Sequence, residues 1–483
     1  MTIDSDPQTV RARASVNAAS TTGKSHWLSG LYAPVFDELD VADLQVTGHL
    51  PAELRGSFLR NGPNPAFAPI GRYHLFDGDG MLHSLELDGE GGARYRNRWI
   101  RSAGFEAEAE AGEALFGGLS EFRLPPPEIM EKVGAMKNTA NTHVVGHGGR
   151  ILALMEAALP TEVSRDLETL GEFDFGGALT GSMTAHPKVD PATGEMIFFG
   201  YSPFPPYLRV HTVSADGTLT WTTPVELPNP VMMHDFVVTA TKVVIFDLPA
   251  LFQLESMLSG GEAIRWVPES GARIGVLDRG ASGDTIRWIE VDPFWVFHFL
   301  NGHDVADDGD TVIVTGCRTS RLNTSFGAEG LAEPVEPSLH RWRINAGAGT
   351  FTTEQLDDRP GDFPRMDGRR AGLNARYGYL GRTRSCTEDE TEFDGVVKHD
   401  LHAGTSISAG YGPEAVSGEP VFTPNPDDPR EDAGWLLNWV TDKGTGDSAM
   451  VVLDAETLEE VARVHAPQRV PFGFHGDFLP DAS

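Results

Sequence analysis

The stretch KVDPATGEMIFFGY, residues 188–201, shows the unit from which the chain is built. A short strand-like segment ends at Asp190, the turn-forming residues Pro191 and Gly194 follow, and the apolar run MIFFGY comes next. Apolar and β-branched runs on both sides of a turn containing Gly and Asp predict a β-hairpin. The fold of this chain therefore depends on how often the unit is repeated.

The same rhythm recurs outward from this stretch, for example in residues 210–226 (VHTVSADGTLTWTTPVE), 236–249, 272–291, 305–318 and 449–467. Helical patterns are few and short, around residues 114–122, 126–134 and 250–258. Few segments suit parallel crossovers, so the pattern predicts an all-β fold, either a propeller or stacked sheets. No repeat is regular enough to count blades. We expect one domain over residues 28–483, after a polar and disordered segment over residues 1–27.

The composition and net charge of the chain exclude several classes of function. The chain has 483 residues, 40% of them hydrophobic, and a formal net charge of −32. This charge repels phosphate backbones and argues against nucleic-acid binding. The two cysteines, Cys317 and Cys386, form no disulfide framework or zinc ribbon.

The N-terminus lacks a signal-peptide core, and no apolar run is long enough to span a bilayer. A cytoplasmic protein is expected, with peripheral membrane contact through the loop SPFPPYLRV as an alternative; the oligomeric state is not visible.

Four of the sixteen histidines stand at the edges of apolar runs. They are His186 in SMTAHPKVD, His234 in VMMHDFVV, His298 in WVFHFLNGHD and His475 in PFGFHGDF. A buried imidazole needs a partner, and strands from different blades of a propeller can bring distant residues to one axis. Neutral imidazoles suit Zn, Cu, Fe and Ni. Because thiolates are scarce, a structural zinc site is disfavoured.

Ten segments together resemble the carotenoid cleavage oxygenases, over residues 28 to 480. They include GSFLRNGPNP (56–65), HLFDGDGMLHSL (74–85), KNTANTHVV (137–145), ILALMEAALPTEV (151–163), GEPVFTPNP (418–426) and PQRVPFGFHGDF (467–478), besides the histidine segments. The resemblance implies a seven-bladed β-propeller capped by loops and short helices. It also implies one Fe(II) on the axis, held by His186, His234, His298 and His475.

The family supports three of these ligands with glutamates, which fix the imidazole tautomer and orientation. By resemblance, Glu156 and Glu419 match two of these positions. At the third, in GDFPRMD, this chain has Asp362 where the family usually has Glu. Because Asp is shorter by one methylene, we expect a closer backbone, a bridging water or a less firmly held ligand.

The implied activity is that of a non-haem Fe(II) dioxygenase, which splits a C=C double bond of a carotenoid or apocarotenoid with O₂ into two carbonyl products. No catalytic residue beyond the metal ligands is expected. Cleavage of a stilbene is the first alternative, since the family's stilbene branch grips a phenol with a Tyr and a Lys. Trp99 stands at the Tyr position here, and Lys137 lies near the Lys region. A propeller scaffold without chemistry is the second alternative.

Substrate contacts are predicted at Trp99, Lys137 and Phe299. The last belongs to an aromatic set around His298 that also includes Phe294, Trp295 and Phe297. Alternate residues of a strand face opposite sides, so some of this set should pack in the core and the rest should line the cavity. The partners expected are an apolar polyene or stilbene and O₂.

Overall fold

The computed structural model describes residues 25–322, 335–386 and 391–481. Its strands, numbered in chain order, are β1 (Asp40–Val41), β2 (Val46–Gly48), β3 (Arg55–Pro63), β4 (Gly80–Asp88), β5 (Ala93–Trp99), β6 (His143–His147), β7 (Arg150–Leu154), β8 (Thr161–Val163), β9 (Thr169–Glu172), β10 (Lys188–Val189), β11 (Met196–Tyr201), β12 (Leu208–Val213), β13 (Leu219–Val225), β14 (Val237–Val238), β15 (Lys242–Asp247), β16 (Ala250–Phe252), β17 (Ile264–Trp266), β18 (Ala272–Asp278), β19 (Arg287–Val291), β20 (Trp295–Val305), β21 (Asp308–Thr319), β22 (Ser338–Asn345), β23 (Thr350–Gln355), β24 (Gly361–Arg365), β25 (Tyr377–Cys386), β26 (Thr391–Asp400), β27 (Thr405–Gly410), β28 (Ala415–Ser417), β29 (Val421–Pro424), β30 (Gly434–Asp442), β31 (Ser448–Asp454), β32 (Glu460–His465) and β33 (Gly476–Pro480).

The hairpin over residues 188–201 forms as predicted. β10 and β11 pair antiparallel, with Val189 opposite Met196, and the chain reverses through Gly194 at φ 72°. β12 and β13 continue the meander into a four-stranded sheet. Glycine populates this left-handed region without the penalty that a Cβ brings, so the turn keeps both strands in register.

Seven such sheets make a propeller. Blade 1 holds β33, β3, β4, β5 and β1; blade 2 holds β6–β9; blade 3 holds β10–β13; blade 4 holds β14, β15, β18 and β19; blade 5 holds β20–β23. β24–β27 form blade 6, and β29–β32 with β2 form blade 7, the two being joined through β28. β16 and β17 make a separate ribbon. The first strands of the blades contact one another, β14 with β20, β20 with β24, and β33 with both β29 and β6.

Both ends of the chain close the ring. β33 pairs with β3, with Gly476 opposite Arg60, so the last strand completes the first blade. β2 pairs with β32 and adds an N-terminal strand to the last blade. Closure of this kind pairs backbone groups of β3 and β32 that would otherwise be exposed at the seam between the first and last blades. It also makes the axial geometry depend on the whole chain.

Apolar side chains fill the space between the blades. The largest cluster spans blades 3 to 5 and includes fully buried Phe199, Phe236 and Trp342. A second cluster joins blades 1 and 7 around Tyr95, Leu437 and Met450. Packing between blades, rather than one central core, therefore fixes their relative angles and leaves the axis free for polar groups.

Helices are short and lie between strands. They are α1 (Ala103–Ala111), α2 (Pro127–Val133) and α3 (Leu254–Leu258), with 3₁₀ turns at His26–Leu28, Gly30–Tyr32, Leu75–Asp77, Pro268–Ser270, Gly283–Thr285 and Gly368–Arg370. The helical prediction for residues 114–122 is wrong, because the helix lies just before it, where Ser102 caps Phe105 N–H and Gly112 ends the helix at φ 77°. Within the described ranges, no helix is long and apolar enough to cross a membrane.

The N-terminal boundary lies earlier than predicted. Residues 1–24 of the segment predicted to be disordered lie outside the described residues, but Trp27 packs edge-on against Tyr32, with ring centroids 4.9 Å apart. Trp27 also lines the main cavity. The predicted boundary after residue 27 is therefore too late, and the folded part begins no later than Ser25.

Buried histidines away from the axis should make stability depend on pH. Burial lowers the pKa of His211 in β12 and of His399 in β26 to about 4. In the unfolded chain their pKa returns to about 6.5, so below that pH the unfolded state binds more protons. We expect the unfolding free energy to fall from about pH 6.5 towards pH 4, by up to about 3 kcal/mol for each histidine. Urea unfolding of metal-free protein between about pH 7 and pH 5 measures this slope.

The substitution His211→Gln should reduce the slope, whereas His402→Gln, at an exposed position, should leave it unchanged. Equal slopes in the wild type and in His211→Gln would contradict the assignment.

Candidate metal centre and cavity

The four histidines singled out from the sequence meet at one point. One nitrogen from each of His186, His234, His298 and His475 lies within 4.8 Å of the other three, and all four residues are buried. Their Nε2 atoms are spaced 3.1 Å (186 to 234), 3.2 Å (234 to 298) and 3.2 Å (298 to 475). The convergence predicted from the sequence is therefore what the fold produces.

Blade geometry explains this convergence. His186 and His234 come just before β10 and β14, His298 lies in β20, and His475 comes just before β33. These are the first strands of blades 3, 4 and 5 and the last strand of the chain, which closes blade 1. Residues at the same end of such strands lie at the axis, so histidines up to 289 positions apart in the sequence become neighbours.

Three carboxylates hold the outer nitrogens of these rings. His298 Nδ1 lies 2.9 Å from Asp362 Oδ1, and His475 Nδ1 lies 2.9 Å from Glu419 Oε1. His234 Nδ1 contacts Glu156 Oε1. Among residues 25–322, 335–386 and 391–481, His186 has no carboxylate contact of this kind. The structure thus pairs three histidines with the three carboxylates that the resemblance implied.

Asp362 reaches its histidine directly, without the bridging water that its shorter side chain left open. Its Oδ1 also accepts the backbone N–H of Phe363 at 2.8 Å. Phe363 has φ 54°, and the register of β24 with β25 shifts at this point. A non-glycine residue in this region costs roughly 1–2 kcal/mol. The local backbone, rather than the side chain alone, places this carboxylate.

Two residues that the sequence analysis did not single out support the carboxylates. The Tyr201 hydroxyl donates to Glu156 Oε2 at 3.0 Å. Burial, followed by the neighbouring Asp362 carboxylate, raises the pKa of Cys317 well above its usual value. Cys317 therefore remains a thiol and can donate its proton. Nothing in the local sequence of either residue points to the axis; only the blade packing brings them there.

The charge states of the site favour a bound cation. Burial holds the pKa of His186 and His475 well below the usual value, so both rings are neutral at pH 7. Although burial opposes it, Arg365 and His475 keep the pKa of Glu419 below its usual range, so this group is a carboxylate. A neutral imidazole whose Nδ1–H donates to a carboxylate presents a bare lone pair at Nε2.

Three such lone pairs, on His234, His298 and His475, converge on one point, and they repel unless a positive charge lies between them. In the metal-free protein a proton on His298 can meet part of this need, since Asp362 raises the pKa of His298 despite its burial. One proton, however, bridges only two nitrogens. Metal–nitrogen bonds of about 2.1 Å at right angles separate neighbouring nitrogens by about 3.0 Å, close to the spacings of 3.1 and 3.2 Å. The donor set therefore fits a divalent metal.

A large apolar cavity opens onto the four histidines. It holds about 1520 Å³ of atom-free space, part of it open to solvent. His234, His298 and His475 form part of its wall, together with Glu156 and Asp362. The rest of the wall is mainly aromatic and aliphatic, with Trp27, Tyr32, Leu75, Phe76, Leu119, Met136, Met155, Tyr201, Met232, Phe252, Ile264, Phe297, Phe363, Phe393, Phe472 and Phe474.

The three predicted substrate contacts lie outside this cavity, which is a correction. Trp99 is buried among Phe36 and Phe105, and its indole N–H donates to Asn64 O at 2.8 Å. Phe299 packs in the core, with its ring centroid 4.3 Å from that of Phe246. These aromatic side chains are used to join strands rather than to meet a ligand.

Lys137 is also held away from the main cavity. It lines an adjoining chamber, where its ammonium pairs with Asp79 and Glu108. Burial alone would lower the pKa of Lys137, but these two carboxylates raise it above its usual value. Lys137 is therefore protonated, and the carboxylates of Asp79 and Glu108 balance its positive charge.

Phe297 takes the place at the cavity that was predicted for Phe299. The register of β20 with β21 shifts between Val296 and Phe299. Such a bulge puts successive residues on one face, so Phe297 and His298 both line the cavity. The side chains of β20 therefore do not alternate strictly between the two faces of the strand at this point.

The propeller and its axial cluster of four histidines define a class of protein in which a buried site that could hold a metal ion meets an apolar cavity. The family model described as "RPE65: Retinal pigment epithelial membrane protein" matches residues 32–480. The chain therefore belongs to the family of this protein and the carotenoid cleavage oxygenases, as the sequence resemblance indicated.

Curated relatives and solved structures agree. The chain is 35% identical to "Carotenoid 9,10(9',10')-cleavage dioxygenase 1" of Arabidopsis thaliana, covering 94% of this chain and 90% of that protein. It is 34% identical to the "Carotenoid cleavage oxygenase" of Mycobacterium tuberculosis, covering 96% and 99%. The Pseudomonas brassicacearum lignostilbene dioxygenase structure superposes with TM-score 0.87 at 29% identity, covering 95% and 99%. The structure of cobalt-substituted Synechocystis ACO superposes with a TM-score of 0.82 at 25% identity, covering 92% of this chain and 97% of that one.

Removal of any one of the four histidines should abolish stable metal binding. His186→Ala, His234→Ala, His298→Ala and His475→Ala each leave three nitrogens and an unfilled position at the axis. We expect iron content after anaerobic loading and desalting to fall to the background of metal-free protein, as measured by elemental analysis. His402→Ala, at an exposed position, serves as the control and should retain wild-type iron.

A graded effect should follow from the carboxylates. Glu419→Gln keeps the shape but loses the charge that orients His475, and affinity should fall by about 10- to 100-fold. Glu354→Gln on the exposed face of β23 is the matched control. Iron retained in full by all four histidine variants would contradict the site.

Proposed function

We propose that this protein is a non-haem Fe(II) dioxygenase that cleaves a C=C double bond of a carotenoid or apocarotenoid with O₂, giving two carbonyl products. The observation that carries the proposal is the set of four buried Nε2 atoms, spaced 3.1 to 3.2 Å, at the wall of an apolar cavity. Family membership and the named relatives that cleave carotenoids support it.

Iron is the metal proposed, one ion per chain. His186, His234, His298 and His475 would hold it. A bound ion would supply redox chemistry with O₂. Because imidazole ligands bring no negative charge, a bound ion would keep its full double charge. The thiols Cys317 and Cys386 are not members of the ligand cluster, which argues against a structural zinc.

The chain contributes geometry rather than acid–base chemistry. Glu156, Asp362 and Glu419 accept the outer imidazole protons and so direct the inner lone pairs to one point. Phe297 and Phe363 flank His298 at the cavity wall, with ring centroids 6.1 and 5.2 Å from its ring. These rings exclude water and confine an extended apolar substrate, so that one bond lies beside the metal.

The polar groups that would favour a phenolic stilbene are occupied. Lys137 is neutralised by Asp79 and Glu108, and Trp99 donates its N–H to a backbone carbonyl. Neither lines the main cavity. A phenolate would therefore find no free cation at these positions. This supports a polyene over a stilbene, although the lignostilbene dioxygenase has the same overall fold.

A scaffold without chemistry explains these groups less well. A buried carboxylate is costly unless it is paired, and three of them are used here to orient histidines whose inner nitrogens would otherwise repel. Such an arrangement stabilises the protein only when a cation is bound. We therefore prefer a metalloenzyme.

Substrate class can be tested directly. Iron-loaded protein is incubated in air with carotenoids, apocarotenals and hydroxystilbenes, and products are identified by mass spectrometry. We expect pairs of carbonyl fragments from the polyenes, with O₂ consumed in parallel, because the cavity is apolar and Lys137 is occupied. Fragments from hydroxystilbenes alone would favour the stilbene alternative. Iron-loaded protein that consumes no O₂ with any of them would end the proposal.

Contact with a membrane is a further part of the proposed function, because polyenes reside in lipid. Leu258 is 77% exposed at the end of α3, and Phe204 is 64% exposed in the loop between β11 and β12. The segment after α3 is bound to the cavity wall, where Ala263 N–H donates to Leu119 O at 2.9 Å. Exposed large apolar side chains are candidates for contact with an apolar partner. The net charge of −32 favours neutral over anionic lipid.

The combined substitution Leu258→Ser and Phe204→Ser should weaken binding to neutral phosphatidylcholine vesicles by at least about a hundredfold, since each large apolar side chain contributes roughly 1.5–3 kcal/mol when buried and about 1.4 kcal/mol corresponds to a factor of ten. Vesicle flotation measures the bound fraction. Ile407→Ser, which removes an apolar side chain of 48% exposure from β27 in blade 6, is the matched control. If the double variant and the control bind vesicles equally, the side chains of Leu258 and Phe204 do not bind lipid.

A further inference from the structure

A buried carboxylate beside the metal centre has no part in the function described so far. The Asp235 side chain is 1% exposed. Its Oδ1 lies 2.7 Å from Lys188 Nζ and accepts the backbone N–H of Phe236 at 2.8 Å. Its Oδ2 accepts the backbone N–H of Phe299 at 2.8 Å. Three donors from three places in the sequence therefore meet at one carboxylate.

Each of these donors belongs to a segment that carries a histidine ligand. Lys188 follows His186 by two positions and opens β10 of blade 3. Phe236 lies in the segment of His234, which leads into blade 4. Phe299 directly follows His298 in β20 of blade 5. One carboxylate thus joins three blades at the level where their histidines meet.

The Phe299 contact also bears on the irregularity of β20. Its N–H lies at the bulge, where the register with β21 shifts. By accepting this N–H, Asp235 satisfies a backbone donor at the place where the chain turns both Phe297 and His298 towards the cavity. A second tie between blades 3 and 4 runs alongside, since the Thr184 hydroxyl donates to His234 O at 3.4 Å.

Neither member of the ion pair touches the space where the chemistry would occur. Asp235 and Lys188 are not among the residues that line the main cavity, and neither belongs to the group of metal-ligating side chains. Lys188 has its side chain 28% exposed, with the ammonium 5.9 Å from the Phe236 ring centroid. Their effect on the centre therefore passes through the backbone that they tie and, through space, through their charges on His298 and His186.

We propose that Asp235 and Lys188 are positioning residues of the metal centre, which set the spacing of His186, His234 and His298 and so control how firmly the ion is held. This rests on the proposed function, because it takes the four histidines as metal ligands. The physical basis is that a metal site requires its ligands within a few tenths of an ångström, and side chains on separate blades hold that spacing only if the blades are tied together close by. The pair makes this tie without contacting metal or substrate.

The test measures metal release and ligand geometry instead of turnover. Asp235→Asn removes the charge and turns an N–H₂ towards one of the three donors. Lys188→Met removes the charge partner but keeps both backbone hydrogen bonds, and Lys188→Arg restores a cation. The matched controls are Asp432→Asn and Lys398→Met, which break another buried Lys–Asp pair, at 2.7 Å, between Lys398 of blade 6 and the loop between β29 and β30 of blade 7. Each protein is loaded with Co(II), whose visible spectrum reports its ligand geometry.

We expect Co(II) to leave Asp235→Asn and Lys188→Met about tenfold faster than the wild type when excess EDTA is added, with shifted visible bands. Lys188→Arg should return both readouts close to wild type. The control variants should lose thermal stability but release Co(II) at the wild-type rate. If Asp235→Asn does not fold, Lys188→Met decides the matter alone, since its side chain is partly exposed.

Wild-type release rates and spectra in Lys188→Met, with a loss of stability like that of the controls, would show that the pair is merely structural and would overturn the inference. Failure of the proposed function looks different. In that case the wild type itself would take up no Co(II) that depends on His475, and the inference would fall with it. Binding by the wild type together with unchanged variants would leave the metal centre standing and remove only the positioning role.

Discussion

Mutual repulsion among the inward-facing imidazole nitrogens at the axis is the constraint on which this structure depends. His234, His298 and His475 have their outer N–H groups directed at carboxylates, so their inner nitrogens present lone pairs to one another. They are buried, and water cannot relieve the repulsion as it would at a surface. A bound divalent ion would replace that unfavourable contact with favourable bonds. The metal that we propose would therefore stabilise the axis as well as form the reactive part of the proposed enzyme.

The propeller meets this requirement by spreading it over the ring. Ligands come from blades 1, 3, 4 and 5, and the carboxylates come from blade 6 (Asp362), the segment leading into blade 7 (Glu419) and the loop after β7 in blade 2 (Glu156). Each blade thus contributes one group near the axis. Closure by β33 matters doubly, because the strand that seals the ring also follows His475. The seam of the fold and the metal centre are stabilised together.

Departures from regular strand geometry occur where the site needs them. The bulge in β20 places Phe297 and His298 on one face, and the left-handed conformation of Phe363 brings the short Asp362 within 2.9 Å of His298. In regular strands, adjacent residues such as Phe297 and His298 would face opposite sides, and one of them would point away from the axis. Local strain of this kind is tolerated because the blades on either side over-determine the backbone, and it yields an apolar cavity that reaches the proposed ion.

The sequence by itself determined the hairpin rhythm, the all-β class and the four histidines, because hairpin periodicity, turn residues and apolar flanks are local properties. The family resemblance added the blade number and the three carboxylates. Only the tertiary structure decided which side chains face the cavity. Trp99, Lys137 and Phe299 are aromatic or charged residues in suggestive places, yet blade packing turns all three elsewhere. The roles of Tyr201, Cys317 and Asp235 could not be read from the chain either, since each acts on a residue at least 45 positions away, or on several segments at once. Such contacts arise only when separate blades are assembled around one axis.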